Sequence, residues 1–142
     1  MIILDTGVLI AAVDADDQHH EPCARLLRES DERFVVPAGV VVEVCWMLGR
    51  RVSVDAEAEF LRSLADGGLP VEALTGPDYQ RVAELVETYR DLPLGSVDAM
   101  VVAVAERLNV HTIATIDRRD FSVVRPRHAD HFTLVPDLQP SR

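Results

Sequence analysis

The sequence has no lysine: all 14 basic residues are arginines, set against 24 acids for a formal net charge of −10. That absence removes the phosphate-binding lysine of P-loop proteins, Schiff-base chemistry, and the lysine that receiver-type phosphoacceptor domains keep beside their aspartates. The acidic balance leaves no domain-wide basic surface to attract nucleic acid, so chemistry on RNA or DNA would need a cation to offset the charge locally. Cys23 and Cys45 stand far apart, with no CxxC and no histidine at metal-ligand spacing. They read as reduced core residues on helices, and zinc has no site. No apolar run approaches the roughly 18 to 20 residues of a membrane span, and no charged segment precedes an apolar run with a small-residue cleavage site. The expectation is a soluble, cytoplasmic protein.

What is present suffices for one core. With 142 residues, 48% of them hydrophobic, the chain reads as a single domain over 1–142 with a short polar tail from about residue 137 that frays at its end. Short β-rich apolar runs predict strands at 2–4, 34–36, 71–74, 111–116 and 132–135. Helical stretches at 7–13, 20–29, 39–48, 55–65, 78–89 and 97–108 lie between them. This alternation predicts an α/β fold: a mostly parallel central sheet of about five strands with helices on both faces.

Most acids lie where water can reach them, on polar helix faces or in turns such as 14–17. Three do not. Asp5 is the only charge in 1–13, Glu43 the only one in 35–49, and Asp98 the only one in 92–105; Asp117 closes the apolar run 112–116. Glu43 has Gly39, Val40, Trp46 and Met47 as its helical neighbours, and Asp98 has Val101 and Val102. A buried carboxylate without a partner is unfavourable by several kcal/mol and answers with a raised pKa or a compensating cation. Lacking lysine, and with its arginines mostly elsewhere in the sequence, the chain leaves a metal ion as the economical compensator.

The predicted topology assembles these acids. Asp5 and Asp117 follow strands at the C-terminal edge, where open parallel sheets bind ligands. The helix bearing Asp98 leads into the fourth strand, so it starts at that same edge. Glu43 lies about five residues, at roughly 1.5 Å each, into a helix that also begins there. An all-oxygen cleft of this kind suits Mg²⁺ or Mn²⁺ and implies phosphodiester hydrolysis. Each acid alone also has an ordinary reading: Asp5 and Asp117 as helix caps, Asp98 as a first-turn acid behind Ser96 as N-cap. Four such accidents at one sheet edge are a poorer account than a site.

These residues resemble the PIN-domain ribonucleases and, among them, the VapC toxins of bacterial toxin-antitoxin pairs. The segment 3–11, with its Asp5-Thr6 pair, is similar to that family's first strand. Segment 37–48 with Glu43, Ser96-Val97-Asp98-Ala99, and Thr115-Ile116-Asp117-Arg118-Arg119-Asp120-Phe121 are similar to its three later acidic segments. The resemblance implies a three-layer α/β/α PIN fold and a Mg²⁺- or Mn²⁺-dependent endoribonuclease leaving 5′-phosphate and 3′-hydroxyl ends. It also implies a homodimer held inactive by a cognate VapB-type antitoxin, with a tRNA, rRNA or mRNA as substrate. By the same resemblance Asp5 and Asp98 are the principal metal ligands, and Glu43 and Asp117 complete the set directly or through water. Thr6, Ser96 and Thr115 support them, Asp120 shares or takes the fourth role, and Arg118 and Arg119 contact substrate. The alternatives are a catalytically weak PIN module that binds its antitoxin and operator complex, and a structure-specific DNA nuclease.

Among the remaining residues, His19 and His20 read as surface, and His128 and His131 lack a convergent third ligand. Trp46 and Met47 read as core or dimer packing rather than an RNA-stacking platform.

Overall fold

The structure, a computed structural model, describes residues 1–138. Among these, five strands form one wholly parallel sheet: β1 (Ile2–Leu4), β2 (Phe34–Pro37), β3 (Val71–Glu72), β4 (Thr112–Ala114) and β5 (Thr133–Val135). They are joined by α1 (Thr6–Val13), α2 (His20–Glu29), α3 (Ala38–Arg51), α4 (Val54–Ala65), α5 (Gly76–Thr88), α6 (Ser96–Leu108) and α7 (Arg118–Val123). The architecture is the α/β/α class expected from the alternation of strands and helices. All three residues of β1 are buried. A central parallel strand is covered on both faces, which is why its sequence is continuously apolar rather than alternating.

The strand order is β3-β2-β1-β4-β5. The chain therefore lays β2 and β3 to one side of β1, then returns to add β4 and β5 on the other. The reversal falls between β1 and β4, where Leu4 pairs with Ala114. At such a switch point the connections leave in opposite directions and open a crevice beyond the strand ends. Asp5 and Asp117 are the acids that follow those two strands.

α6 is the central helix: Ala99 and the whole run from Val101 to Ala105 are buried. A helix apolar on nearly every side belongs inside, and its small residues allow close approach to neighbours. It packs on α3, whose Val40, Val44 and Leu48 form the buried stripe. Gly39 marks the tightest point of that approach, since a Cβ there would run into Met100 Sδ.

The buried acid Asp78 and several partly buried acids outside the crevice are matched to arginines. Asp78, as deeply buried as Asp5, takes Arg107 Nε at 2.9 Å and caps α5 reciprocally with Thr75. Arg107 also reaches Glu72 at 2.8 Å, and Arg81 grips Glu106 with two bonds of 2.8 and 2.9 Å. Arg51 ties the end of α3 to Asp14 and Asp17.

Several expectations are corrected. The third strand is two residues long, because the chain turns at Ala73 and Leu74 into the Thr75 cap. The fourth stops at Ala114, where the Thr115 hydroxyl takes up the Asp117 N–H. Ser96 does not cap α6; Gly95 holds that position without a side-chain bond. Of the two packing readings of Trp46 the core one is excluded: in the single chain it is 59% exposed, with the Arg50 guanidinium 4.3 Å from its ring centroid. His19 and His20 are half-buried, with His20 Nδ1 2.8 Å from the Ala11 carbonyl oxygen. His128 packs on His111 and Phe132 and places Nε2 2.7 Å from the Val110 carbonyl oxygen, an arrangement of packing rather than ligation. Cys23 is buried and Cys45 half-buried, both unbridged. The end of the polar tail, 139–142, lies outside the described residues.

Candidate active site

Asp5 leaves β1 in extended conformation and becomes the N-cap of α1. Its Oδ1 accepts the Thr6 N–H at 2.8 Å, and its Oδ2 accepts the Thr115 hydroxyl at 2.9 Å. The same Thr115 oxygen accepts the Asp117 N–H at 3.0 Å. A single buried hydroxyl thus links the loop after β4 to the carboxylate after β1. Asp5 is a cap as well as a crevice acid; the two readings coincide. Asp117 is different, since it occupies the N-cap position of α7 yet makes no capping bond with its side chain. Its carboxylate is left for the crevice.

Asp5, Thr6, Gly7, Glu43, Met47, Ser96, Asp98 and Asp117 line one open cavity of about 400 Å³. All four sequence-predicted acids therefore meet there, with Thr6 and Ser96. The carboxylate oxygens of Asp98, Asp117 and Asp120 lie within 4.8 Å of one another. A larger cavity of about 520 Å³ is bordered by Met1, Ile2, His111 and Thr112 near the N-terminal ends of β1 and β4. It holds no comparable group of acids, so size does not select the functional crevice here.

Electrostatics set the crevice apart. Burial, first, and then the charges of Asp5, Asp117, Asp120 and Glu43 push the Asp98 carboxyl up to about 7. Burial also pushes Asp5 up to about 6, opposed by its bonds from Thr115 and Thr6 and assisted by Glu43 and Asp117. Asp120 is raised by desolvation and by Asp117, with Arg119 pulling the other way. None of the five acids takes part in an ion pair among the described residues. The contrast with Asp78 is direct: equal burial, but an arginine in one case and none in the other.

The sequence offers an arginine beside the crevice, and the fold turns it away. Arg118 directs its guanidinium to the backbone carbonyls of Leu134 and Pro136, pinning α7 to the end of β5. Arg119 is exposed. Met47, read as packing, is half-buried and forms part of the cavity wall. The Thr6 hydroxyl is buried and lacks a hydrogen-bond partner among the described residues. Buried hydroxyls are rarely left so, and a polar guest in the cavity would complete it.

Gly7 was not singled out by its sequence. A Cβ there would lie 2.6 Å from Ile116 Cγ1 and 2.8 Å from its Cδ1. Ile116 precedes Asp117, so Gly7 sets how closely α1 fits against the loop that carries this acid. In open space, Gly7→Ala would gain about 1 kcal/mol of helix propensity. Here it is expected to lose about 1–2 kcal/mol through overpacking, measured by urea unfolding, and to weaken divalent-ion binding as Asp117 shifts.

Residues 2–125 match the PIN domain family. The chain is 36% identical over 135 residues to ribonuclease VapC26 of Mycobacterium tuberculosis, covering 95% of this chain and all of that protein. Its fold is similar to that of VapC20 from the same organism, described as a toxin that cleaves the sarcin-ricin loop, with TM-score 0.79, 21% identity and coverage of 84% and 92% of the two chains. It is also similar to a chain of the DNA-bound VapBC complex of Salmonella typhimurium, with TM-score 0.67, 14% identity and coverage of 94% and 96%. With the family match spanning most of the sequence and a full-length relative at this identity, the chain belongs to the PIN-domain family.

Proposed function

We propose that this protein is a VapC-type toxin, a Mg²⁺- or Mn²⁺-dependent endoribonuclease whose active site is the crevice between β1 and β4. One observation carries the reading: carboxylates from α3, α6 and the ends of β1 and β4 share a crevice with no arginine to neutralise them. The donor set fits a hard divalent cation, being all oxygen with neither histidine nor thiolate. When bound, such an ion supplies Lewis acidity toward a phosphodiester and a water molecule.

The chain's own groups do the rest. Asp5 and Asp98 would hold the ion, with Asp117 and Glu43 completing the acidic set directly or through water. Thr115 fixes the Asp5 carboxylate by its hydrogen bond and so would orient it as a ligand. The Thr6 hydroxyl, buried without a partner among the described residues, would donate to a phosphate oxygen or to a water. Glu43, facing the cavity from α3, takes the proton of the water that attacks phosphorus. The bond from phosphorus to the 3′ oxygen breaks, and that oxygen takes a proton from solvent in the open cavity, leaving a 3′-hydroxyl and a 5′-phosphate. Of the two arginines after Asp117, Arg119 is the one positioned to meet an RNA backbone, because Arg118 is engaged with β5.

The same reading supplies a VapB-type antitoxin as partner and a second copy of the chain. Five of the exposed large apolar side chains, Val42, Trp46, Val52, Val54 and Leu61, fall on α3, α4 and their connection. Exposed apolar surface of this sort is what a protein partner covers. No helix among the described residues is long and apolar enough to cross a membrane.

The test is cleavage of total cellular RNA by the purified chain, freed of antitoxin. Discrete fragments with 5′-phosphate ends are expected in Mg²⁺ or Mn²⁺, and intact RNA in EDTA. Cleavage that persists undiminished in EDTA would refute the metal-dependent reading.

A further inference from the structure

We propose that Trp46 and Arg50 form a platform at the rim of the crevice on which an unpaired base of the RNA stacks close to the scissile phosphate; this rests on the reading of the crevice given above and narrows its substrate to single-stranded RNA. Glu43, Met47 and Arg50 follow one another along α3 at i, i+4 and i+7, so their side chains leave the helix within roughly 60° of one line. The first two line the cavity. Trp46 stands beside that line, on the side away from the buried stripe of Val40, Val44 and Leu48. At roughly 1.5 Å per residue, Trp46 lies about 5 Å along the axis from Glu43 and Arg50 about 10 Å. Stacked nucleotides advance about 3.4 Å each, so a strand leaving the crevice along α3 meets the indole within about two nucleotides and the guanidinium next.

The chemistry of the pair suits a nucleotide. Trp46 is 59% exposed, although tryptophan is on average a highly buried residue. The Arg50 guanidinium lies over its ring, 4.3 Å from the centroid, and leaves the opposite face to a second planar group. Arg51 is committed to Asp14 and Asp17, whereas Arg50 takes no carboxylate among the described residues, even with Glu57 lying against Gly49. In a chain of net charge −10, a cation held without an acidic partner beside the crevice is what an RNA backbone needs. A ring stacks only on a base whose own faces are free, so the platform admits a single strand and rejects a duplex.

A cation–π contact that staples one helical turn to the next accounts for Arg50 lying on Trp46. It does not account for a ring left more than half in water beside the residues of the cavity wall. The other exposed apolar side chains of α3 and α4, Val42, Val54 and Leu61, are aliphatic and offer no stacking face, so they suit a protein partner. Trp46 is the one aromatic ring of that surface and its member nearest the line of Glu43 and Met47, which is why RNA is the occupant argued for in the chain freed of antitoxin.

Trp46 is the chain's single tryptophan, so its fluorescence reports on this position alone. The experiment titrates the full chain in Mg²⁺, in an Asp98→Asn background that keeps the probe intact, with a random-sequence single-stranded RNA of about 20 nucleotides and with a duplex of equal length. Single-stranded RNA is expected to quench Trp46 at least about twofold, and the duplex to leave it unquenched. By anisotropy of labelled RNA, Trp46→Ala is expected to weaken binding about tenfold, Trp46→Phe to recover most of it, and Arg50→Gln to weaken it about threefold. Tyr79→Ala, which removes an exposed ring from α5, is expected to change it less than about twofold. RNA bound without quenching, and equally well by Trp46→Ala, would overturn the inference; with wild type still cleaving RNA, the crevice reading would stand. Equal quenching by the duplex would overturn it too. Affinity lost together with dissociation of a dimer, seen by sedimentation, would assign Trp46 to a contact between copies and overturn it as well. Wild type that neither binds nor cleaves RNA would take the crevice reading down with it.

Discussion

Asp98→Asn is expected to lower RNA cleavage by at least about a hundredfold and, at the same time, to stabilise the metal-free protein. The two effects have one cause. Asp98 sits in the first turn of α6 among the charges of Asp5, Asp117, Asp120 and Glu43, with burial as the main contribution to its raised pKa of about 7. Its pKa is raised above the unfolded value, so the folded state binds more protons between about pH 4 and pH 7, and stability from this group falls as pH rises through that window. At pH 8 the carboxylate is ionised, and the fold bears the full penalty. Taken at face value the shift corresponds to about 4 kcal/mol; the open cavity and solvent reduce this to roughly 1–2 kcal/mol. Asparagine keeps the volume and removes the charge, and a gain of about 3–6 °C in melting temperature is expected at pH 8. An ordinary structural aspartate would behave in the opposite way, with Asn either neutral or destabilising. Calorimetry of the two proteins in EDTA decides between them.

Acidification is expected to reduce metal binding and cleavage steeply, beginning near neutrality. A carboxylate must be deprotonated to ligate, so binding displaces whatever protons the empty site holds. Above about pH 7 both Asp5 and Asp98 are ionised and affinity is flat with pH. Between about 7 and 6 one proton is displaced, and affinity falls up to about tenfold per unit; below about 6 two are displaced, and it falls up to about a hundredfold per unit. Stability of the metal-free protein moves the other way, rising over the same interval. Thr115→Val supplies the internal check. The Thr115 hydroxyl bond is the largest of the effects that pull the Asp5 pKa down. Removing it raises that pKa further and moves the lower break of the binding profile to higher pH, with the upper break, set by Asp98, left in place. Mn²⁺ affinity measured from pH 5 to pH 8.5 in both proteins reads these breaks directly.

The four acids that line the crevice were legible because each violates its surroundings. Asp5, Glu43 and Asp98 stand alone in long apolar stretches, and Asp117 ends one. Helix and strand order alone then places them at one edge of a parallel sheet, so no side-chain detail was needed. Asp120 gave a weaker signal. It follows Arg118-Arg119, where an acid looks like part of a solvated turn, and its place beside Asp98 and Asp117 depends on the three-residue spacing from Asp117 across a helix too short to be read from periodicity. Arg118 was misleading for a related reason: its partners are main-chain carbonyls of Leu134 and Pro136, which carry no sequence signature. Asp78 was invisible as a buried acid because its arginine stands 29 residues away. Trp46 shows the reverse difficulty, since hydrophobic character marked it for burial and the single chain leaves it exposed beside Arg50. Composition reports what a residue favours, and only the packed partners determine whether that preference is met.

On the proposed function, the crowded carboxylates of the crevice destabilise the metal-free protein and a bound divalent ion relieves that penalty. The most direct measurement is the melting temperature of wild type and Asp98→Asn at pH 8, each with EDTA and with saturating Mn²⁺. The expected result is a crossover: without metal the variant melts higher, and with ion at a hundred times its dissociation constant the wild type gains about 2.7 kcal/mol and melts higher. A wild-type melting temperature that Mn²⁺ leaves unmoved, or an equal rise in both proteins, would contradict it.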